Sequence, residues 1–72
     1  MANQEIAKIL YAMSLLLEMQ GVQFKPRAYE KASLVIGSLD EDVAEIYKKG
    51  GRKALMDIPD VGQGIAERIE EY

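Results

Sequence analysis

The apolar positions of this chain recur at helical spacing, in runs separated by glycine or proline. Ile6, Ile9, Leu10, Met13, Leu16 and Leu17 keep to one face of a helix, because side chains three, four and seven residues apart lie on the same side of a 3.6-residue repeat. Leu15 and Met19 widen that face, as expected of a helix surrounded by others, and Asn3 is its predicted N-cap. Gly21 is the predicted stop. The linker Val22-Gln23-Phe24-Lys25 leads to Pro26, whose fixed φ and missing N–H suit the first turn of a second helix. Ala28, Tyr29, Ala32, Val35, Ile36 and Leu39 form the buried face expected there. Ser38-Leu39-Asp40-Glu41 has the spacing of a capping box and predicts the start of a third helix. Its apolar positions are Val43, Ile46 and Tyr47, and Gly50-Gly51 stops it. No strand is predicted.

The last third of the chain changes character. Ala54, Leu55 and Met56 read as a short apolar helix, and Ile58-Pro59-Asp60-Val61-Gly62-Gln63-Gly64 as a tight turn. Ile65, Ala66, Ile69 and Tyr72 then return to helical spacing. Pro59 fixes one backbone dihedral, and Gly62 is expected to supply a positive φ. Helix, turn and helix in this order make a helix-hairpin-helix pattern. Such a hairpin offers backbone N–H groups to a nucleic-acid phosphate without reading a base, since a helix N-terminus is an anion site. The expected fold class is therefore all-α, a compact four- to five-helix single domain over residues 1–72 that ends in the hairpin. Tyr72 lies inside a helical pattern with no stop signal, as expected of a segment of a longer protein.

Composition narrows the chemistry. At 49% hydrophobic and 29% charged, the chain has the make-up of a folded protein and not of a disordered tail. It has no cysteine and no histidine, which excludes disulfides, the common zinc sites and cysteine or histidine catalysis. No apolar run reaches the roughly 20 residues of a membrane span, and a cytoplasmic, nucleoid-associated location is expected. Net charge is −3, whereas dedicated nucleic-acid binders are usually basic. The hairpin segment is the most acidic part: Asp57, Asp60, Glu67, Glu70 and Glu71 stand against Arg68 alone.

The run Asp40-Glu41-Asp42 with Glu45 resembles a metal cluster, but consecutive acids point in different directions on a helix. Acids at the start of a helix and Lys48 and Lys49 at its end complement the macrodipole, and that is the reading adopted. Lys48, Lys49, Arg52 and Lys53 fit either a phosphate-tracking patch or a solvated helix end. Lys25 and Arg27 flank Pro26 at a helix start, where the dipole gives cations nothing, so a bound anion is one explanation of their placement. The tyrosines at 11, 29, 47 and 72 are expected in the core with their hydroxyls at its edge.

Three segments in order now carry a resemblance: Asn3-Gln4-Glu5-Ile6-Ala7-Lys8-Ile9-Leu10, then Phe24-Lys25-Pro26-Arg27-Ala28-Tyr29-Glu30-Lys31-Ala32, then Gly51-Arg52-Lys53-Ala54-Leu55-Met56-Asp57-Ile58-Pro59 with the hairpin. Together they resemble the N-terminal domain of family X DNA polymerases, most of all the bacterial and archaeal members, across the whole chain. The resemblance implies a DNA-repair role of the base-excision kind. This domain would hold the 5′-phosphate side of gapped or nicked DNA, without sequence preference, while downstream domains perform nucleotidyl transfer. By the same resemblance Lys25 and Tyr29 match pocket residues for phosphate, with Arg27, Gly62 and Gly64 completing the expected DNA-binding set. Arg68 falls where the polymerase beta branch has its Schiff-base lysine. A guanidinium stays protonated and is a poor nucleophile, so Arg68 implies phosphate holding without lyase chemistry, and no catalytic residue is expected in this segment. Met56 and Gly64 stand where that branch has two further phosphate-contacting lysines. The resemblance also implies a monovalent cation, Na+ or K+, on the backbone carbonyls of Met56, Ile58 and Val61. Asp60 departs from the family's first hairpin glycine. The rival expectation is a helical protein-interaction module that keeps the scaffold but not the DNA affinity.

Overall fold

The structure, a computed structural model, describes residues 2–72 as four helices: α1 (Ala2–Met19), α2 (Lys25–Ser38), α3 (Val43–Met56) and α4 (Gln63–Glu71). No strand occurs among the described residues, and no helix among them is long and apolar enough to cross a membrane. The all-α expectation holds. Gly21 ends α1 at φ 76. Its N–H donates to Glu18 O at 3.0 Å and that of Val22 to Leu17 O at 3.1 Å, the paired Schellman closure that satisfies the last carbonyls. Pro26 sits in the first turn of α2 as predicted.

Helices α1 and α2 run antiparallel and make the longest contact in the molecule. They meet at Gly37 and Ala7, where a Cβ added to the glycine would lie 3.6 Å from that of Ala7, an ordinary van der Waals distance. Beside this contact the Ser33 hydroxyl donates to Ala7 O at 2.7 Å. The core draws on every element: Ile6 and Leu10 of α1, Ala32 and Ile36 of α2, Val43 and Leu55 of α3, Ile65, Ala66 and Ile69 of α4, with Ile58 and Val61 from the hairpin. Each large side chain buried in this way contributes roughly 1.5–3 kcal/mol.

Several expectations are corrected. Asn3 does not cap α1; it lies inside that helix, buried, and its side chain reaches the start of α3. The capping box is displaced as well: Asp42, not Ser38, is the N-cap of α3 and accepts the Ala44 N–H at 2.8 Å, with Glu45 in the first turn. Ser38 instead donates to Val35 O. The far half of α1 is not surrounded, since Leu15, Leu16 and Met19 are exposed, Met19 by 83%. That half of α1 extends past α3 and α4 and has only α2 beside it. Of the tyrosines only Tyr29 packs on the core, while Tyr11, Tyr47 and Tyr72 are exposed.

Gly50-Gly51 interrupts α3 where the sequence placed a stop. Gly51 has φ 65 and ψ −157 inside the helical span, a backbone region open essentially to glycine alone. The interruption swings Arg52–Met56 into the approach to the hairpin. Gly51→Ala is expected to lower stability by about 1–3 kcal/mol, read as a shift of the urea midpoint at constant m-value. An unchanged midpoint would show that the interruption is not held by the rest of the fold.

Candidate nucleic-acid interface

Ile58, Pro59, Asp60 and Val61 form a four-residue turn closed by the Val61 N–H on Ile58 O at 3.1 Å. Proline at the second position and a positive φ at the third make it type II, the turn that prefers glycine at the third position. Asp60 occupies that place with φ 67, a left-handed conformation that costs an L-residue about 1–2 kcal/mol. Gly62 does not supply the positive φ expected of it. It is extended, φ −88 and ψ −174, and serves as the N-cap of α4. The turn is pinned from beneath by the buried Ile58, Val61, Ile65 and Ala66. The Ala66 N–H donates to Gly62 O at 2.9 Å, whereas the amides of Gly62, Gln63 and Gly64 meet no acceptor among the described residues. A Cβ on Gly64 would meet nothing within 4 Å, so the approach to these three N–H groups is open.

A turn of this geometry between two helices, pinned on its buried side with free amides on the other, is the structural mark of the hairpin. A model of the helix-hairpin-helix domain family matches residues 1–72, the whole chain. The chain belongs to that family. Neither the curated proteins nor the solved structures gave a match.

In this helix-hairpin-helix domain a second group of expected site residues gathers at the start of α2. Lys25 and Arg27 are exposed and form no ion pair among the described residues. No acid stands in that first turn, and Tyr29 lies one turn on from Lys25, on the same face and half-buried against the core. Sequence reading missed Phe24. It is the N-cap of α2, with φ 71, ψ −43 and no side-chain cap, and the Lys25 N–H closes a three-residue turn over it onto Gln23 O at 2.8 Å. This γ-turn is the strained kind, and it holds a phenyl ring 86% exposed beside two cations. Its only signal in the sequence is an aromatic residue in a polar linker.

The third group is less free than its composition suggests. Arg68 is exposed on α4, one turn from Gly64, and pairs with Glu71 at 3.4 Å. Of the basic cluster, Lys49 pairs with Glu41 at 3.4 Å, and Arg52 pairs with both Glu67 and Glu70. Only Lys48 and Lys53 lack ion pairs among the described residues. Arg52 therefore ties α3 to α4, with the Tyr47 hydroxyl donating to the same Glu70 carboxylate at 3.1 Å. The Arg52 hydrogen bond holds the Glu70 carboxyl below the usual carboxylate range, and Glu70 in turn raises the Tyr47 hydroxyl. Because the folded-state value of Glu70 is depressed, its contribution is fully present above the unfolded carboxylate pKa and is lost as the pH falls through the folded one. The stability difference between the wild type and Arg52→Ala is accordingly expected to be largest near neutral pH and to narrow as the pH falls through and below the ordinary carboxylate range. Urea midpoints at several pH values test this; a gap that does not depend on pH would assign the role of Arg52 to packing.

For the implied cation, the carbonyls of Met56 and Val61 accept no backbone N–H among the described residues, and that of Ile58 accepts the Val61 amide. Neutral carbonyl oxygens around one turn suit a hard monovalent cation, and the Asp60 carboxylate on the same turn adds favourable charge. The residues present fit such an ion by donor type.

Proposed function

We propose that this domain holds the 5′-phosphate side of gapped or nicked DNA, without reading sequence, as the N-terminal DNA-binding part of a family X repair polymerase. The observation that carries the reading is the set of three unpaired amides at the α4 N-terminus, presented by the type II turn. Backbone N–H groups and a helix dipole bind phosphate irrespective of the bases attached to it. Membership of the helix-hairpin-helix family supports nucleic-acid binding, and the resemblance of three segments to family X polymerases is the ground for the finer assignment. Lys25, Arg27 and Tyr29 form the second contact, and the ring of Phe24 offers a stacking face to an unpaired base in the gap, an interaction every base can make. A monovalent cation on the Met56, Ile58 and Val61 carbonyls would add positive charge at the turn.

The internal pairing of Lys49, Arg52 and Arg68 favours one competing reading, a protein-interaction module that has lost DNA affinity. Titration of 5′-phosphorylated gapped DNA at several salt concentrations separates the two. With Lys25, Arg27 and, of the basic cluster, only Lys48 and Lys53 left unpaired beside the amides, binding on the order of micromolar or weaker is expected, with a shallow salt slope of at most about four released ions. Amide shift changes at Gly62–Gly64 and at Lys25 should accompany it. No shift at either place, with the fold intact, would overturn the DNA reading.

A further inference from the structure

At the C-terminal end of α4, away from the hairpin amides, a cleft of about 310 Å³ opens between three helices. Its floor is apolar, made by Ile6 of α1, Val43 of α3 and Ile69 of α4, and Tyr47, Glu70 and Tyr72 stand at its rim. That volume is at the lower end of what a small-molecule site offers and too small for more than one or two side chains of a peptide. Two hydroxyls are already spent on carboxylates, Tyr47 on Glu70, which also holds Arg52, and Tyr72 on Glu5, so a carboxylate stands beside each ring. In the sequence immediately next to the lining residues stand Glu5, Asp42, Glu45 and Glu71 against Lys48 and Arg68, and Arg68 is bound to Glu71. Glu5 and Glu45 have no ion pair among the described residues. An apolar floor under an acidic, aromatic rim repels a phosphate backbone.

The charge and shape of this cleft point, we infer, to a protein partner that inserts an arginine from a basic, apolar segment. The three-methylene stem covers the aliphatic floor while the guanidinium stays at the rim, where planar stacking on tyrosine and a carboxylate within reach favour arginine over lysine. The domain already makes the same arrangement internally, with Arg52 against Glu70 beside Tyr47. Two faces follow: a hairpin face for phosphate and, at the other end of α4, an acidic cleft for a basic protein segment.

The test uses the whole 72-residue chain and a short capped peptide of leucine and arginine, with its leucine–glutamate counterpart as control. Amide shift changes are expected at Tyr47, Ile69 and Glu70 with the arginine peptide alone, and its affinity should fall several-fold on raising salt from low to about 0.5 M. Ala44, exposed at the cleft, is the place to block it. Ala44→Arg should weaken the peptide roughly tenfold or more through like charge and occlusion, with thermal unfolding and the gapped-DNA titration unchanged. Should that variant fold poorly, Glu5→Gln serves, with a several-fold loss expected. Equal binding of the glutamate peptide, shifts confined to the hairpin, or a peptide affinity indifferent to both substitutions would overturn the inference. Failure of DNA binding leaves it untouched, since the two faces are read by different residues.

Discussion

Asn3→Ala is expected to lower the unfolding free energy by about 2–3 kcal/mol, a large share of the stability of a domain this small. Asn3 lies on α1 but works on α3. Its Nδ2 donates to Glu41 O and its Oδ1 accepts the buried Val43 N–H, both at 2.8 Å, bridging some forty positions of sequence. Val43 is the first residue of α3, so that N–H has no partner within its own helix. Removing the amide leaves a buried donor unpaired, which is costlier than losing an exposed hydrogen bond. Asn3→Asp dissects the pair: it keeps an acceptor for Val43 and places a second oxygen against the Glu41 carbonyl, so an intermediate loss is expected. Urea unfolding with an unchanged m-value is the measurement. A loss under about 0.5 kcal/mol for Asn3→Ala would mean that water replaces the side chain and that α1 and α3 are held by apolar contact alone.

The triple variant Met56→Lys, Asp60→Gly, Gly64→Lys is expected to bind 5′-phosphorylated gapped DNA on the order of a hundredfold more tightly, with a salt slope steeper by about two. Each change is admitted by the fold. Met56 is exposed at the end of α3, and a side chain at Gly64 enters open space. Asp60 sits at φ 67, where glycine relieves strain as it removes a carboxylate from the turn. At physiological salt each new phosphate contact contributes roughly fivefold through counterion release, and loss of the Asp60 charge adds a smaller factor. Asp60→Gly alone should both tighten DNA and raise stability. If the triple variant binds no better than the wild type while remaining folded, the hairpin is not the DNA contact and the protein-interaction reading takes precedence.

The helical segments, their order and the breaks at Gly21 and Gly50-Gly51 were legible along the chain because they depend on local physics. Helical spacing of apolar residues, Pro26 at a helix start, Gly21 and Gly51 at positive φ and Pro59 opening the hairpin turn are choices made within a few residues. The buried cluster was legible where a residue of the apolar repeat faces a neighbouring element, as Leu10, Ile36 and Ile69 do. Local reading failed at the ends. Leu16 and Met19 continue the apolar repeat of Ile6, Leu10 and Met13, but α3 and α4 stop short of them, and periodicity carries no record of a neighbour's length. It also failed where a residue acts across the fold. Asn3 has the composition of a cap and does cap a helix, though a different one, and only packing α1 against α3 selects which.

The hairpin divides in the same way. Its existence followed from Pro59, Gly62 and Gly64 in sequence, while the residue that takes the left-handed conformation is Asp60. That choice follows from the Val61-to-Ile58 closure and the burial of both residues. Likewise, the sequence counted the cations of the basic cluster but did not show that Arg52 is engaged by Glu67 and Glu70. Charge is a property of the chain, whereas the availability of a charge depends on which acids the fold brings within a few ångströms of it.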